Sequence, residues 1–599
     1  MDHAITFVIA TLCILAICYR LYGVFFVRKV LRADDSLVTP SHQLEDGKNY
    51  VPTKKWVNFG QHFAAIAAAG PLVGPVLAAQ FGYLPGFLWL LIGCVVGGAV
   101  HDTVVLFASM KHSGKSLSEV AKAELGPVAG WCTGLAMLFI ITITMAGLSM
   151  VVVHALERNP WGAFAVFMTI PIAMVLGIYE RLGGDMKYAT YVGIAAIMAC
   201  VVGGPYIQHT LLGDWLTLHA ETVSILLPVY AFFASALPVW MLLTPRGYLS
   251  SFMKIGVFGA LVVGVVFINP AIQFPAVTQF IHGGGPVLGG PVWPFISITI
   301  ACGAISGFHA FIGSGTTPKL VDKWSDILPV AFGAMLAECV VGVMALIAAT
   351  ALHPADYFAI NSAPAAFKAL GMSVVDLPQL SKEIGIDLYG RTGGAVTLAV
   401  GMSYIFTKIS WFSTLASYFF QFVVMFEAVF ILTAIDSGTR VSRYLIQDFA
   451  GDIFPKLKQL DWMPGAIGAS FVACLLWGYL LNSGDINSVW TLFGVSNQLM
   501  ASVGLIIGAT IILRVGQKRR YVWTCLIPLA YLYVTVNYAG YWMISRVYLN
   551  SAAKGYSIFN ASLSIIMLVL GFAILVSALM KWKELLGLRA GNKLVGAAA

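Results

Sequence analysis

Long apolar runs, separated by short polar segments, recur along the whole 599-residue chain. At 1.5 Å per residue, most of them can cross a hydrocarbon layer roughly 30 Å thick. The pattern predicts fifteen membrane spans, near 3–27, 59–80, 86–110, 127–155, 161–180, 188–207, 222–243, 255–270, 291–313, 327–352, 411–435, 463–482, 488–514, 521–545 and 557–580. A further run, "GGAVTLAVGMSYIFTKI" (393–409), reads as a sixteenth span, a re-entrant hairpin or a helix lying at the surface. The expected fold class is an all-α polytopic membrane protein of about fifteen to sixteen transmembrane helices. Its organisation reads as an N-terminal helix (1–27), a cytoplasmic loop (28–58), two core halves (59–270 and 291–580) and a cytoplasmic tail (581–599). The second half carries a long outer loop, 353–392. Neither long loop is large enough for an independent catalytic domain.

Composition agrees with this class: 59% of residues are apolar, 10% are charged and the mean hydropathy is +0.85. The net charge of +8 invites a nucleic-acid reading, but its distribution rejects it. With the N-terminus outside, loops assigned to the cytoplasm hold 27 Lys and Arg, and those assigned outside hold six. That asymmetry is the positive-inside rule, and it places the C-terminus in the cytoplasm. One more crossing at 393–409 would put "RVGQKRR" (514–520) outside, so a re-entrant or interfacial placement is favoured there. Asp2 before the first run, with Arg20, Arg28 and Lys29 in or after it, makes that run a retained helix rather than a cleaved signal. The nine cysteines form no CxxC pair or Cys/His cluster, and no motif indicates a cofactor or metal. The polar inner loop at 27–56 suits contact with membrane lipid or a protein partner, and an oligomer stays open.

Polar residues interrupt the apolar pattern in four places. The span at 59–80 contains Gly70-Pro71 and Gly74-Pro75, and two prolines four apart remove helix hydrogen bonds. The span at 291–313 runs into "CGAISGFHAFIGSGTTPKL" (302–320), with Gly303 and Gly307 at the same spacing. Seven steps of the threading separate the two, so they cross in opposite directions. Two broken helices in inverted orientation point to a transporter's midplane site. The candidate solute-binding residues are therefore Gly70, Pro71, Gly74 and Pro75 in one segment, facing Gly303, Ser306, Gly307, His309, Ser314, Gly315, Thr316 and Thr317 in the other. "GxH" occurs in both segments, at His62 and His309, but direct alignment puts both on the same side, which an inverted repeat forbids. Third, Asp102, Glu338 and Glu427 are carboxylates at depth, and an intramembrane carboxylate is costly unless it faces the bundle interior. With His101 they are the candidate carriers of a coupling ion. Fourth, Asp436 and Arg440 are spaced to pair along one helix, and Asn497 and Gln498 to hold helices together.

"GSGTTPK" is not a phosphate loop, because Pro318 stands where glycine must precede lysine. "SLSE" at 116–119 is a capping box that starts a short interfacial helix. No HExxH or GxSxG is present, which argues against an intramembrane enzyme.

Four stretches carry a specific resemblance: "NFGQHFAAIAAAGPLVGPVLAAQFGYLPG", "ACGAISGFHAFIGSGTTPKL", "FEAVFILTAIDSGTR" and "LFGVSNQLMA". In this order they resemble the carbon starvation protein A family of bacterial inner-membrane transporters, within the amino acid–polyamine–organocation superfamily. The resemblance implies broken helices in inverted repeats and secondary transport of a peptide or pyruvate, coupled to protons. Sodium coupling to another solute, or nutrient sensing through a partner protein, are the alternatives the residues leave open.

Overall fold

The computed structural model describes residues 3–47, 49–237, 241–408, 413–451, 454–459, 462–483, 486–515, 518–550 and 555–595. In chain order its main helices are α1 (Ala4–Leu31), the bent pair α2 (Lys55–Ile66) and α3 (Gly70–Phe81), α4 (Tyr83–Lys111) and the short α5 (Leu117–Leu125). There follow α6 (Pro127–Leu156), α7 (Pro160–Arg181), α8 (Met186–Ile207), α9 (Ala220–Ala236) and α10 (Leu243–Ile268). The second half holds the fragments α11 (Val292–Thr299) and α12 (His309–Gly313), then α13 (Trp324–Thr350), α14 (Ala395–Thr407) and α15 (Ala416–Gly451). It ends with α16 (Met463–Ser483), α17 (Ile486–Val515), α18 (Arg519–Tyr548) and α19 (Gly555–Val595).

Eleven helices among the described residues are long and apolar enough to span a membrane, and α2–α3, bent by 48°, makes a twelfth. All fifteen expected positions are helical, yet fewer than fifteen are full-length spans. The expected span at 222–243 is the 17-residue α9, and residues 238–240 lie outside those described. The one at 291–313 is split into pieces of eight and five residues. The one at 255–270 begins earlier, because α10 is helical from Leu243; Arg246 and Lys254, expected in an inner loop, are buried on that helix. The span expected to end at 435 continues as helix to Gly451.

Burial orders the bundle. The apolar windows of α4, α6 and α17 are each 89% buried and form its centre, whereas those of α1 and α8 are 28% buried and face outward. Residues 393–409 hold helix α14, whose residues 395–403 are all buried, so it does not lie on the protein's surface. Arg391 just before it donates to the Glu157 carbonyl, and Tyr404 near its end is 3.2 Å from Gln273 Nε2. At 13 residues, about 20 Å, it is too short to cross the hydrocarbon layer by itself.

On the opposite rim, α5 starts at Ser116 with the expected capping box. Its Glu124 carboxylate, 1% exposed, is hydrogen-bonded to His112 at 2.8 Å and forms an ion pair with Arg514 at 3.2 Å. Burial raises the Glu124 pKa, but the His112 hydrogen bond and the Arg514 charge outweigh it and hold the carboxyl below its usual value.

Candidate transport site

The two interrupted segments meet, though not in the register their prolines suggest. Helix α3 begins at Gly70, so Pro71 sits in its first turn, where a missing N–H costs nothing, and Pro75 is tolerated one turn on. The break lies just before, at Ala67–Ala69, where Ala68 N–H turns back to the Ile66 carbonyl. Opposite it, the backbone unwinds between α11 and α12, with Gly303 at φ 72°, a conformation that glycine adopts freely. A Cβ on Gly70 would lie 2.4 Å from Cys302 Sγ, and one on Gly303 would contact Pro71 at 3.4 Å. Gly70, Pro71, Gly74 and Gly303 thus pack in a tight junction between the segments, whereas Pro75 lies against Gly342 on α13 and Ser306 and Gly307 lie against Asn497 on α17.

The freed amides of that junction already have partners. Asn497 Oδ1 on α17 accepts from Phe308 N–H at 2.7 Å and pairs with Ser306 Oγ at 3.3 Å. Gln498 Nε2 donates to the Ser297 carbonyl at 2.7 Å. The two carboxamides hold helices together, as their positions suggested, and specifically replace the broken helix's lost hydrogen bonds.

Behind the junction runs a chain of titratable side chains, all buried. His101 Nδ1 is 2.8 Å from Asp102 Oδ1, and His309 Nδ1 is 2.8 Å from Asp102 Oδ2. The other edge of the His309 ring lies 3.1 Å from Glu338 Oε2, while Glu338 Oε1 accepts from Gly303 N–H at 3.3 Å. His309 therefore stands between two carboxylates. One edge of the ring is hydrogen-bonded to Asp102 and the other is in ion-pair contact with Glu338. Asp102 and Glu338 lie on opposite edges of the ring and do not converge on a common point. Among the described residues no group of three or more His, Cys, Asp or Glu is placed to hold a metal ion.

The remaining candidates lie elsewhere. Glu427 on α15 is buried, with both oxygens lacking a hydrogen-bond partner among the described residues, and is not in the chain with Asp102 and Glu338. Ser314 Oγ accepts from Leu117 N–H at 3.2 Å and so anchors α5. Gly315 is partly exposed and Thr316 exposed, while Thr317 Oγ1 is 2.8 Å from His62 Nδ1. Asp436 pairs with Arg246 at 3.3 Å and Tyr230 at 2.9 Å rather than with Arg440, which donates to the Ala234 and Leu237 carbonyls.

Two residues that sequence reasoning passed over complete the site. His62, set aside on symmetry grounds, lies within electrostatic reach of Asp102 and His309. Lys254 lies in a cavity of about 330 Å³ bounded by α2, α10, α12 and α15. It is the one charged side chain among the described lining residues, beside Gln61, Ser250, Thr433 and Ser437. Its ammonium donates to the Ala64 carbonyl, one of the acceptors that the end of α2 leaves unpaired, and sits 4.4 Å from the Phe430 ring centre. Phe430, Phe426 and Phe258 pack together just beyond it, with Phe426 and Phe430 centroids 3.9 Å apart, and close the cavity toward the N-terminal end of α15.

Apolar spans packed around two interrupted segments, with a cavity beside the break and a chain of buried histidines and carboxylates behind it, define a polytopic membrane transporter. The chain belongs to the carbon starvation protein family: the profile described as Carbon starvation protein CstA matches residues 3–539. It is 73% identical over 583 residues to the peptide transporter CstA of Bacillus subtilis (strain 168), covering 97% of this chain and 98% of that one. The Campylobacter jejuni peptide transporter CstA is 44% identical over 90% of this chain and 80% of its own. The Escherichia coli (strain K12) pyruvate/proton symporter BtsT is 40% identical, covering 90% of this chain and 81% of the relative. A crystal structure of a mutant manganese transporter from Eremococcus coleocola covers 90% of this chain and 98% of its own, at 10% identity and a TM-score of 0.44, too low to add detail.

Proposed function

We propose that this chain imports a small carboxylate-bearing nutrient, a peptide or pyruvate, across the bacterial inner membrane during carbon starvation, by proton-coupled alternating access. The N-terminus would lie outside and the C-terminus in the cytoplasm, a reading that the distribution of Lys and Arg supports. The observation that carries the reading is Lys254: a lone ammonium in a largely apolar cavity, near the Asp102–His309–Glu338 chain. A solute carboxylate would take the Lys254 charge, and the Gln61 amide and the hydroxyls of Ser250, Thr433 and Ser437 would meet its polar remainder. The freed backbone amides, occupied by Asn497 and Glu338, are not the anion site in this arrangement.

Coupling follows from Glu338. Ionised, it accepts from Gly303 N–H and fixes the unwound segment against α13. Protonated, it is a weaker acceptor, and the segment that walls the cavity through Phe308 is released. The phenyl cluster would close the cavity on the expected outer side. A monocarboxylate fits the described lining more simply than a zwitterionic peptide, because no carboxylate there would meet a peptide ammonium. Support for inverted repeats is the opposed direction of the two interrupted segments.

Uptake of labelled pyruvate and of a labelled dipeptide into proteoliposomes, each with and without an inward proton gradient, tests the reading. Gradient-driven accumulation of either solute is the expected result. No uptake of either solute under proton or sodium gradients would overturn it.

A further inference from the structure

Two cavities on the lipid-facing side of α4 and α18, about 420 and 380 Å³, share Val96, Ile527 and Pro528 in their linings and therefore form one groove. Its mouth lies where α1 and α18 meet the basic rim, at Tyr22, Phe25, Arg520, Tyr521 and Trp523. From there it descends past Ile92 to Leu88 and Tyr531. Along α4 the eight steps from Val96 to Leu88 span about 12 Å, close to half of the roughly 30 Å hydrocarbon thickness. The deep part is almost wholly apolar, and Ile92 and Ile527 are 57% and 58% exposed. The mouth carries Arg520, which pairs with no carboxylate among the described residues, beside exposed Arg519 and Lys518. Tyr521 and Trp523 stand at the same level, where aromatic side chains favour the membrane interface.

The groove's floor is the transport site's own backbone. A π-helical turn at Cys94–Gly98 and the glycines within it bring the unwound segment to the outside of α4. A Cβ on Gly97 would lie 2.2 Å from Ile305 Cδ1, so Ile305 fills the place of a side chain and lines the groove. Trp89 Nε1 donates to the Ile300 carbonyl at 3.1 Å, and Tyr531 hydrogen-bonds Ser297 at 2.8 Å. Both rings form the groove wall.

We infer that this groove is a binding site for one anionic glycerophospholipid, its phosphate at Arg520 and one acyl chain lying against Ile305. Charge selects the occupant: a basic mouth over a one-leaflet-deep apolar channel matches an anionic headgroup and tail. Because the chain lies against the unwound segment, occupancy steadies the break from the side opposite the solute cavity.

The test is native mass spectrometry of the full chain in detergent, titrated separately with phosphatidylglycerol, phosphatidylcholine and glycerol phosphate. The first phosphatidylglycerol is expected to bind at least five-fold more tightly than the first phosphatidylcholine, and glycerol phosphate not to bind. Arg520→Gln removes that preference while leaving phosphatidylcholine binding unchanged. Ile527→Trp, which fills the shared part of the groove, removes the first site for both lipids. Lys456→Gln, elsewhere on the basic face, leaves all three titrations as in the parent chain. Equal binding of both lipids by the parent chain, a preference that survives Arg520→Gln, or glycerol phosphate binding as well as the lipid would each overturn the inference. None of these readouts depends on solute transport.

Discussion

Replacing Lys254 by methionine separates recognition from folding, because the two effects run in opposite directions. Lys254 is 4% exposed, and its ammonium has one hydrogen-bond acceptor among the described residues, the Ala64 carbonyl. A carboxylate about 4 Å from it gains about 4 kcal/mol at an effective dielectric of about 20, before the desolvation of both charges is subtracted. Hydrogen bonds to charged groups contribute about 1.5–3 kcal/mol net, and that is the range to expect. Lys254→Met should therefore weaken binding of a carboxylate solute by about 2–3 kcal/mol, or roughly 30- to 150-fold. The same change removes a buried charge in favour of an apolar side chain of similar volume, so Tm should stay level or rise. A cycle makes the assignment direct. KM for uptake is measured for the solute and for its carboxamide, in the parent chain and in Lys254→Met. If the carboxylate meets Lys254, the two losses are coupled by about 2 kcal/mol, and the carboxamide is nearly insensitive to the substitution. Equal losses for both solutes, or an unchanged KM in a folded Lys254→Met protein, would refute the contact.

Glu338→Gln keeps the acceptor for Gly303 N–H but cannot carry a proton, so gradient-driven accumulation should fall more than ten-fold while solute exchange without a gradient persists. Equal loss of both in proteoliposome assays would mean that Glu338 is structural. Phe426→Ala removes the middle ring of the phenyl cluster and costs about 3–5 kcal/mol of packing. In variant protein that still elutes as a folded species, solute efflux without a gradient should rise several-fold, and an unchanged efflux would show that the seal lies elsewhere. Glu124→Gln leaves His112 and Arg514 without their shared carboxylate and should lower stability by about 1–3 kcal/mol at neutral pH. Since folding depresses the Glu124 pKa, its stabilisation is present above the unfolded value near 4.3 and is lost as pH falls through the lower folded value. The Tm difference between parent and variant should therefore shrink below about pH 4, and a difference that grows there would reverse the assignment.

How far the sequence discloses this site depends on what each signal measures. Hydropathy measures depth, and it located the long spans along the chain. It does not measure where a helix starts when the first turns are polar, and that hid Lys254. In "RGYLSSFMKIGVFGALVV" a lysine before an apolar run reads as an interfacial anchor and counts toward the positive-inside tally, whereas α10 begins at Leu243 and carries it inward. The prolines placed the first break within a few residues, but a proline belongs as readily to a first helical turn as to a gap, so the register needed coordinates. Depth also says nothing of azimuth, which is why three carboxylates at depth gave only two that share a partner.

A signal for azimuth was nevertheless present. Asp102 follows Gly98 by four residues, Glu338 precedes Gly342 by four, and Asn497 follows Gly494 by three, so each polar group shares a helix face with a glycine. Those glycines mark close approaches: Cβ atoms on Gly98 and Gly494 would fall 2.1 Å from the Ala304 and Ile298 carbonyl oxygens, and one on Gly342 would fall 2.7 Å from Leu90. Glu427 has Val423, Val424, Phe430 and Ile431 at the same offsets and no glycine among them. A backbone that comes this close brings the adjacent polar side chain against the partner segment, and a face of bulky side chains holds it away. The glycine beside the carboxylate, rather than the carboxylate alone, separates Asp102 and Glu338 from Glu427.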